Sequence, residues 1–179
     1  MKYLLPLLLV STLLSAKNGA YLELGTEYIF SEEIELDNGT KYKFETPSSY
    51  ILNAGYEVNQ WSLEAEGVYT NTKFTDGKKE EIIKQTALAN LYYNAYNETK
   101  YVSFIGGGAG VSKISIAEVE ADGMPLVYHF TLGMGYMFSD HLALNLKYRY
   151  LKTDSYIVSG IEYREATDNI ISTALKFRF

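Results

Sequence analysis

Residues 142–151 set out the pattern that governs the chain. Leu142, Leu144, Leu146, Tyr148 and Tyr150 fall on one face of an extended strand, and Ala143, Asn145, Lys147, Arg149 and Leu151 on the other. Alternation with period two is the mark of a strand whose two sides meet different surroundings. The pattern recurs over residues 20–30, 49–58, 61–69, 86–94, 101–111, 126–138 and 169–179. Leu22, Leu24 and Tyr28 oppose Glu23 and Glu27, and Trp61, Leu63 and Tyr69 oppose Glu64 and Glu66. The stretch at 101–111 carries Gly106-Gly107-Gly108 and Gly110, so its register is ambiguous; such glycines suggest a bulge or a tight bend. In 169–179, Ile171, Thr173, Leu175, Phe177 and Phe179 oppose Ser172, Ala174, Lys176 and Arg178. Each stretch is about long enough to cross a bilayer at a tilt.

Eight strands and their connections predict an all-β, eight-stranded, antiparallel up-and-down barrel. The connections alternate in length: 59–60, 95–100 and 139–141 are short, and 31–48, 70–85, 112–125 and 152–168 are long. Short turns on one side and four long loops on the other are the pattern of a transmembrane β-barrel with periplasmic turns and extracellular loops. Aromatic residues gather at the strand ends. Tyr56, Trp61, Tyr93 and Phe138 lie toward the turns, and Tyr28, Tyr50, Tyr69, Tyr128 and Tyr150 toward the loops. Two aromatic belts on one face are what a membrane slab produces. A soluble lipocalin-like carrier would share the period with its faces reversed. The belts, the alternating loops and the aromatic C-terminal strand favour the membrane barrel, and the Gly-x-Trp signature of lipocalins is absent near the first strand.

Several pieces of the chain resemble the small eight-stranded outer-membrane family that includes the opacity-protein-like surface antigens and the membrane domain of outer membrane protein A. They are Ala89-Asn90-Leu91-Tyr92-Tyr93, the glycine-rich fifth strand, Tyr148-Arg149-Tyr150, and the terminal Leu175-Lys176-Phe177-Arg178-Phe179. The resemblance implies that Leu175, Phe177 and Phe179 form the signal read by the barrel assembly machinery. It implies no particular function, since this fold carries adhesins, enzymes and structural proteins alike.

The first residues change the picture of where the chain resides. Met1-Lys2-Tyr3 is a short basic start, Leu4 to Leu14 an apolar run broken by Pro6, and Ser15-Ala16 a small-residue cut site. This predicts a signal peptide over 1–16, cleaved to leave a barrel domain over 17–179 and exported through the periplasm to the bacterial outer membrane. Losing Lys2 with the leader makes the formal charge of −6 one unit more negative. An acidic chain is not a nucleic-acid binder by default. Cysteine is absent, so no disulfide supports the fold and no lipid is attached to a cysteine after the apolar run.

Candidate chemistry lies on the polar face and in the loops. An eight-stranded barrel is just wide enough for side chains to fill it. Glu23, Glu27, Glu57, Glu64 and Glu66 nearly balance Lys147, Arg149, Lys176 and Arg178, so a lumen charge network is expected. The third and seventh strands lie across the barrel, which directs Glu64 and Glu66 toward Lys147 and Arg149. The first and eighth are neighbours, which directs Glu23 toward Lys176 or Arg178. Such a lumen reads as a salt-bridge plug, with a gated narrow channel as the alternative.

An enzymatic reading has little to build on. A lipid A deacylase needs a His-x-Ser-Asn-like element at the lipid-facing surface; here the residues are His129-Phe130-Thr131, with His129 on the inward face. His141 sits at a turn. No cofactor is expected, and no pair of histidines stands at metal-ligand spacing. Loop acids Glu32, Glu33, Glu35 and Asp37, then Glu118, Glu120 and Asp122, and the mixed Lys73, Asp76, Lys78, Lys79, Glu80, Glu81 and Lys84, make the loops a candidate surface. They suit ions bridging lipopolysaccharide, or a host or environmental ligand, or plain solubility. The expectation is a monomeric, non-enzymatic barrel of structural or surface-interacting role.

Overall fold

The computed structural model describes residues 19–30, 33–35, 41–43, 47–73, 81–96, 99–116, 119–120, 123–158 and 161–179. The leader expected over 1–16 lies outside them, as do Glu32, Asp37, Asp76, Lys78, Lys79, Glu80, Glu118 and Asp122.

Eight long strands make up the wall: β1 (Ala20–Ile29), β2 (Ser48–Val58), β3 (Trp61–Lys73), β4 (Glu81–Ala95), β5 (Tyr101–Ile116), β6 (Leu126–Met137), β7 (Leu142–Thr153) and β8 (Ala166–Arg178). Each pairs antiparallel with its neighbours in sequence. Pairing of β1 with β8, from Tyr21 opposite Arg178 to Ile29 opposite Ile170, closes the barrel. Closure gives every strand two partners and removes the sheet edges. Short hairpins occupy two of the long connections, Glu33–Glu35 with Lys41–Lys43 and Tyr156–Val158 with Ile161–Tyr163. Val119–Glu120 pairs with the end of β5.

The faces divide as the alternation requires. Leu63 is 66% exposed while Glu64 beside it is 3% exposed. Leu24, Leu52, Phe130, Leu132 and Leu146 also point outward, and Glu23, Asn53, Thr131, Lys147 and Arg149 point inward. This is the reverse of a lipocalin, and it is the arrangement of a barrel whose surroundings are apolar.

Four strands run well beyond what the periodicity predicts. β3 continues to Lys73, β4 starts at Glu81 and β5 reaches Ile116, because the backbone ladder continues through the pairs Asn71–Ile83 and Lys73–Glu81. β8 likewise starts at Ala166, while Phe30, Phe138 and Phe179 fall just past strand ends. Lys84, read from sequence as a loop cation, therefore sits inside the barrel mouth. Between β2 and β3, Asn59 and Gln60 form the two-residue turn, and Asn59 takes φ 56°, a region Asn tolerates.

The glycines of β5 mark no bulge: the registers with β4 and β6 run through them without a break. Gly106 and Gly110 point inward and give space to the neighbouring strand. A Cβ on Gly110 would meet Ala87 O at 1.9 Å and Leu88 Cα at 2.8 Å, so the backbone itself would have to move.

Gly110→Ala is expected to destabilise the barrel by about 1–3 kcal/mol through overpacking. Gly67→Ala is the control, because an outward Cβ there meets nothing closer than Leu52 O at 3.8 Å. Thermal unfolding followed by the gel-mobility shift on heating checks the pair: the first variant unfolds at lower temperature and the second does not.

Candidate functional site: the barrel lumen

The lumen is built in layers by residues two apart on each strand. At the turn end, Glu57 on β2 accepts from Lys176 Nζ at 2.5 Å and from Arg178 Nη2 at 2.6 Å, both on β8. Lys176 also stands over the Tyr21 ring, 3.7 Å from its centre. Ser62 donates to Glu57 at 3.3 Å, and Asn94 donates to Ser62 at 2.6 Å.

One layer up, Glu23 on β1 receives Lys147 from β7, together with Asn145 Nδ2 at 2.6 Å and Asn53 Nδ2 at 3.0 Å. Five donors from four strands converge here on Glu23 and Glu64. Glu64 accepts the Tyr21 hydroxyl at 3.0 Å and Asn90 Nδ2 at 3.1 Å. Above them Arg149 spans the barrel. Its Nη1 and Nη2 donate to the two oxygens of Glu66 at 2.6 and 2.8 Å, and Nη1 donates to Glu27 at 3.1 Å. A two-pronged guanidinium–carboxylate bond is among the strong ones. Arg149 is 1% exposed, so this crosspiece is shielded from solvent.

The partners differ in part from those that strand adjacency predicts. Arg149 does meet Glu66 across the barrel. Glu23, however, meets Lys147, while Lys176 and Arg178 go to Glu57. Glu23 and Lys176 are direct cross-strand neighbours. In a narrow lumen all long side chains converge on the axis, so wall adjacency does not decide the pairing.

Inward glycines contribute to it. Gly55 lies between Tyr21 and Glu64 in the ladder, and the Tyr21–Glu64 bond passes over it; a Cβ there would meet the Tyr21 ring at 2.3 Å. Gly108 lies between Asn90 and His129 in the same way. There His129 Nε2 donates to Asn90 Oδ1 at 2.9 Å, since Asn90 Nδ2 is given to Glu64 and Glu66. His129 Nδ1 then accepts from Thr131 Oγ1 at 2.9 Å. His129 is thus a hydrogen-bonded lumen side chain. His141 is exposed, and its Nδ1 donates to Arg178 O at 3.0 Å.

An apolar layer lies above the charges. Moving two residues toward the loop end from each inward polar group gives an apolar one on seven strands. Glu27 leads to Ile29, Asn53 to Ile51, Glu66 to Val68 and Asn90 to Leu88. His129 leads to Val127, Arg149 to Leu151 and Ser172 to Ile170. Leu88, Val127, Leu151 and Ile170 form one buried cluster with Ile29 packed against it. The eye drawn to charges passes over this ring, although the same i±2 rule locates it. Small cavities flank the crosspiece. One of about 30 Å³ lies below, lined in part by Glu64, Tyr92 and Lys147, and one of about 50 Å³ lies above among Val68, Leu88, Leu151 and Ile170.

On the outside, Tyr28, Tyr50, Tyr69, Tyr128 and Tyr150 point outward near the loop end. Trp61, Tyr93 and Phe138 point outward near the turn end, with half-buried Tyr56. Trp61 packs edge-on to Tyr93, with ring centres 5.2 Å apart. Leu175, Phe177 and Phe179 are exposed along the outer side of β8 and its end, and Phe179 N donates to Ala20 O at 2.9 Å.

The comparisons agree with this architecture. The profile of the outer membrane protein beta-barrel domain matches residues 4–179. No curated protein matches the sequence. Among solved structures, neisserial surface protein A superposes with a TM-score of 0.69 at 14% identity, covering 89% of this chain and 97% of that one. OprG of Pseudomonas aeruginosa gives 0.61 at 16% identity over 90% and 96%. The attachment invasion locus protein Ail of Yersinia pestis gives 0.52 at 13% identity over 92% and 100%. At such identities the likeness is one of fold.

Breaking the crosspiece from one side is expected to be costly. Glu66→Ala leaves Arg149 buried with half its partners and should destabilise the barrel by about 3–5 kcal/mol. The double variant Glu66→Met/Arg149→Met should recover part of that loss, since no unpaired charge remains. Urea unfolding in lipid vesicles reads both; a double variant no more stable than Glu66→Ala would contradict the pairing.

Proposed function

We propose, on the premise that this chain belongs to the outer membrane protein beta-barrel domain family, that it is a non-enzymatic barrel with a closed lumen. On this reading it serves the outer membrane structurally and meets its surroundings through its loops. The observation that carries the reading is the Arg149 crosspiece to Glu66 and Glu27, with the apolar ring directly above it. A buried ionic crosspiece under an apolar layer suits a wall element better than a pore. The outward aromatics at both strand ends suit belts at the two membrane interfaces. The exposed Leu175, Phe177 and Phe179 suit a signal offered to the assembly machinery before closure. The leader expected over residues 1–16 would suit export through the periplasm to the outer membrane.

The loops are the surface that remains for partners. Of their acids, Glu33 and Glu35 lie in a short hairpin opposite Lys43 and Lys41. Lipopolysaccharide with its bridging ions, or a host or environmental ligand, fits such loops. A lipid A-modifying activity gains no support from His129, which is 7% exposed and held by Asn90 and Thr131 inside the lumen.

A narrow channel is the second reading, and the cavities on both sides of Arg149 favour it. If Arg149 left Glu66, the two cavities would lie nearer to joining. Planar-bilayer recording separates the readings. The closed barrel gives no stable conductance steps, and Arg149→Ala introduces small ones. Large stable steps from the unaltered protein would overturn the proposal. Lipid A mass spectra of cells with and without the protein are expected to be identical.

A further inference from the structure

Above the apolar ring the wall is uneven. β3, β4 and β5 extend to Lys73, Glu81 and Ile116, whereas β1 ends at Ile29 and β2 begins at Ser48. Inside this rim lies a cavity of about 100 Å³. Ile29, Ile82, Ile114 and Tyr156 supply most of its apolar side, and Lys84 and Asp168 form a polar corner. Lys84 Nζ donates to Thr153 Oγ1 at 3.1 Å and stands 3.9 Å from Asp168 Oδ2, beyond hydrogen-bond reach. An ammonium has three donors, so this corner has capacity for an oxygen from outside. The smaller cavity beneath shares Ile29, Lys84 and Asp168 and ends against Glu27 and Arg149, so the pocket is blind.

We infer that the rim cavity binds a short, neutral amphiphile that arrives free from the outer side. Its apolar body lies against Ile29, Ile82 and Ile114, and its single hydroxyl or carbonyl oxygen accepts from Lys84. Size sets the body: an apolar cavity of about 150 Å³ admits a benzene ring, so this one suits a short chain. Charge sets the head. An anion would compete with Asp168 for Lys84 and a cation would compete with Lys84 for Asp168, whereas a neutral oxygen leaves the pair intact. The blind floor makes the site one of capture, with no passage through the lumen.

Photolabelling of the protein in lipid nanodiscs tests this, with a diazirine-bearing hexanol as probe and peptide mass spectrometry as readout. Adducts are expected on the peptides that carry Ile82, Ile114 and Tyr156. Filling the cavity with Ile114→Trp, or with Ala166→Phe should the first fail to fold, is expected to abolish them while adducts on the outward face of β7 persist. The matching diazirine alkane should label the rim less than the alcohol does, and Lys84→Met should erase that preference. Adducts confined to the outward wall, rim adducts that survive both filling variants, or rim labelling by a diazirine phospholipid in place of the alcohol would each overturn the inference.

Discussion

A strand that crosses hydrocarbon must have every backbone polar group paired by another strand, and must put apolar side chains outward. Everything else in this barrel follows from those two demands. Closure of β1 on β8 meets the first. The second sends most polar residues of the wall to the inside, where eight strands leave space only for the side chains themselves. Charges crowded into that space must find partners, because an unpaired buried charge costs several kcal/mol. The two-pronged bond of Arg149 to Glu66 is the central result of that requirement, joining strands that lie opposite each other in the wall.

The partners are chosen by space at the axis as much as by position on the wall. Gly55 and Gly108 bring side chains from strands two apart into contact by supplying no side chain of their own between them. Tyr21 thereby reaches Glu64, and His129 reaches Asn90. Above the charges the inward residues turn apolar within a single step of two, so an apolar layer lies over the ionic one. The layering sets the polar lower lumen apart from the rim, where Lys84, Asp168, Thr70, Thr72 and Thr153 form the polar side of a cavity whose other side is apolar.

Much of this is legible in the sequence, for a physical reason. A period-two pattern fixes the face of each residue once the outward side is known, so Leu63 and Glu64 are assigned without coordinates. Counting strands sets Glu64 and Glu66 across from Lys147 and Arg149, and the Arg149–Glu66 bond is the contact of that set the structure makes. What escapes the pattern depends on lengths and on the third dimension. Lys84 reads as a loop residue because the ladder continues past the apolar stretch, where alternation no longer marks it. Glu23 pairs with Lys147, which no neighbour rule selects. The β5 glycines read as a bend because a missing side chain looks the same in one dimension whether the backbone kinks or a neighbour fills the gap.

The central claim is that the apolar face of each strand meets lipid and the polar face is sealed within. The chain has no cysteine, so single cysteines can be introduced and spin-labelled along residues 142–151 in lipid vesicles. Collision rates with oxygen, which concentrates in lipid, and with a water-soluble nickel complex then report the surroundings of each position. High oxygen and low nickel contact at Leu144, Leu146 and Tyr148, alternating with low contact for both at Asn145 and Lys147, is the result predicted. High nickel contact at Leu144, Leu146 and Tyr148 would place that face in water and contradict the account.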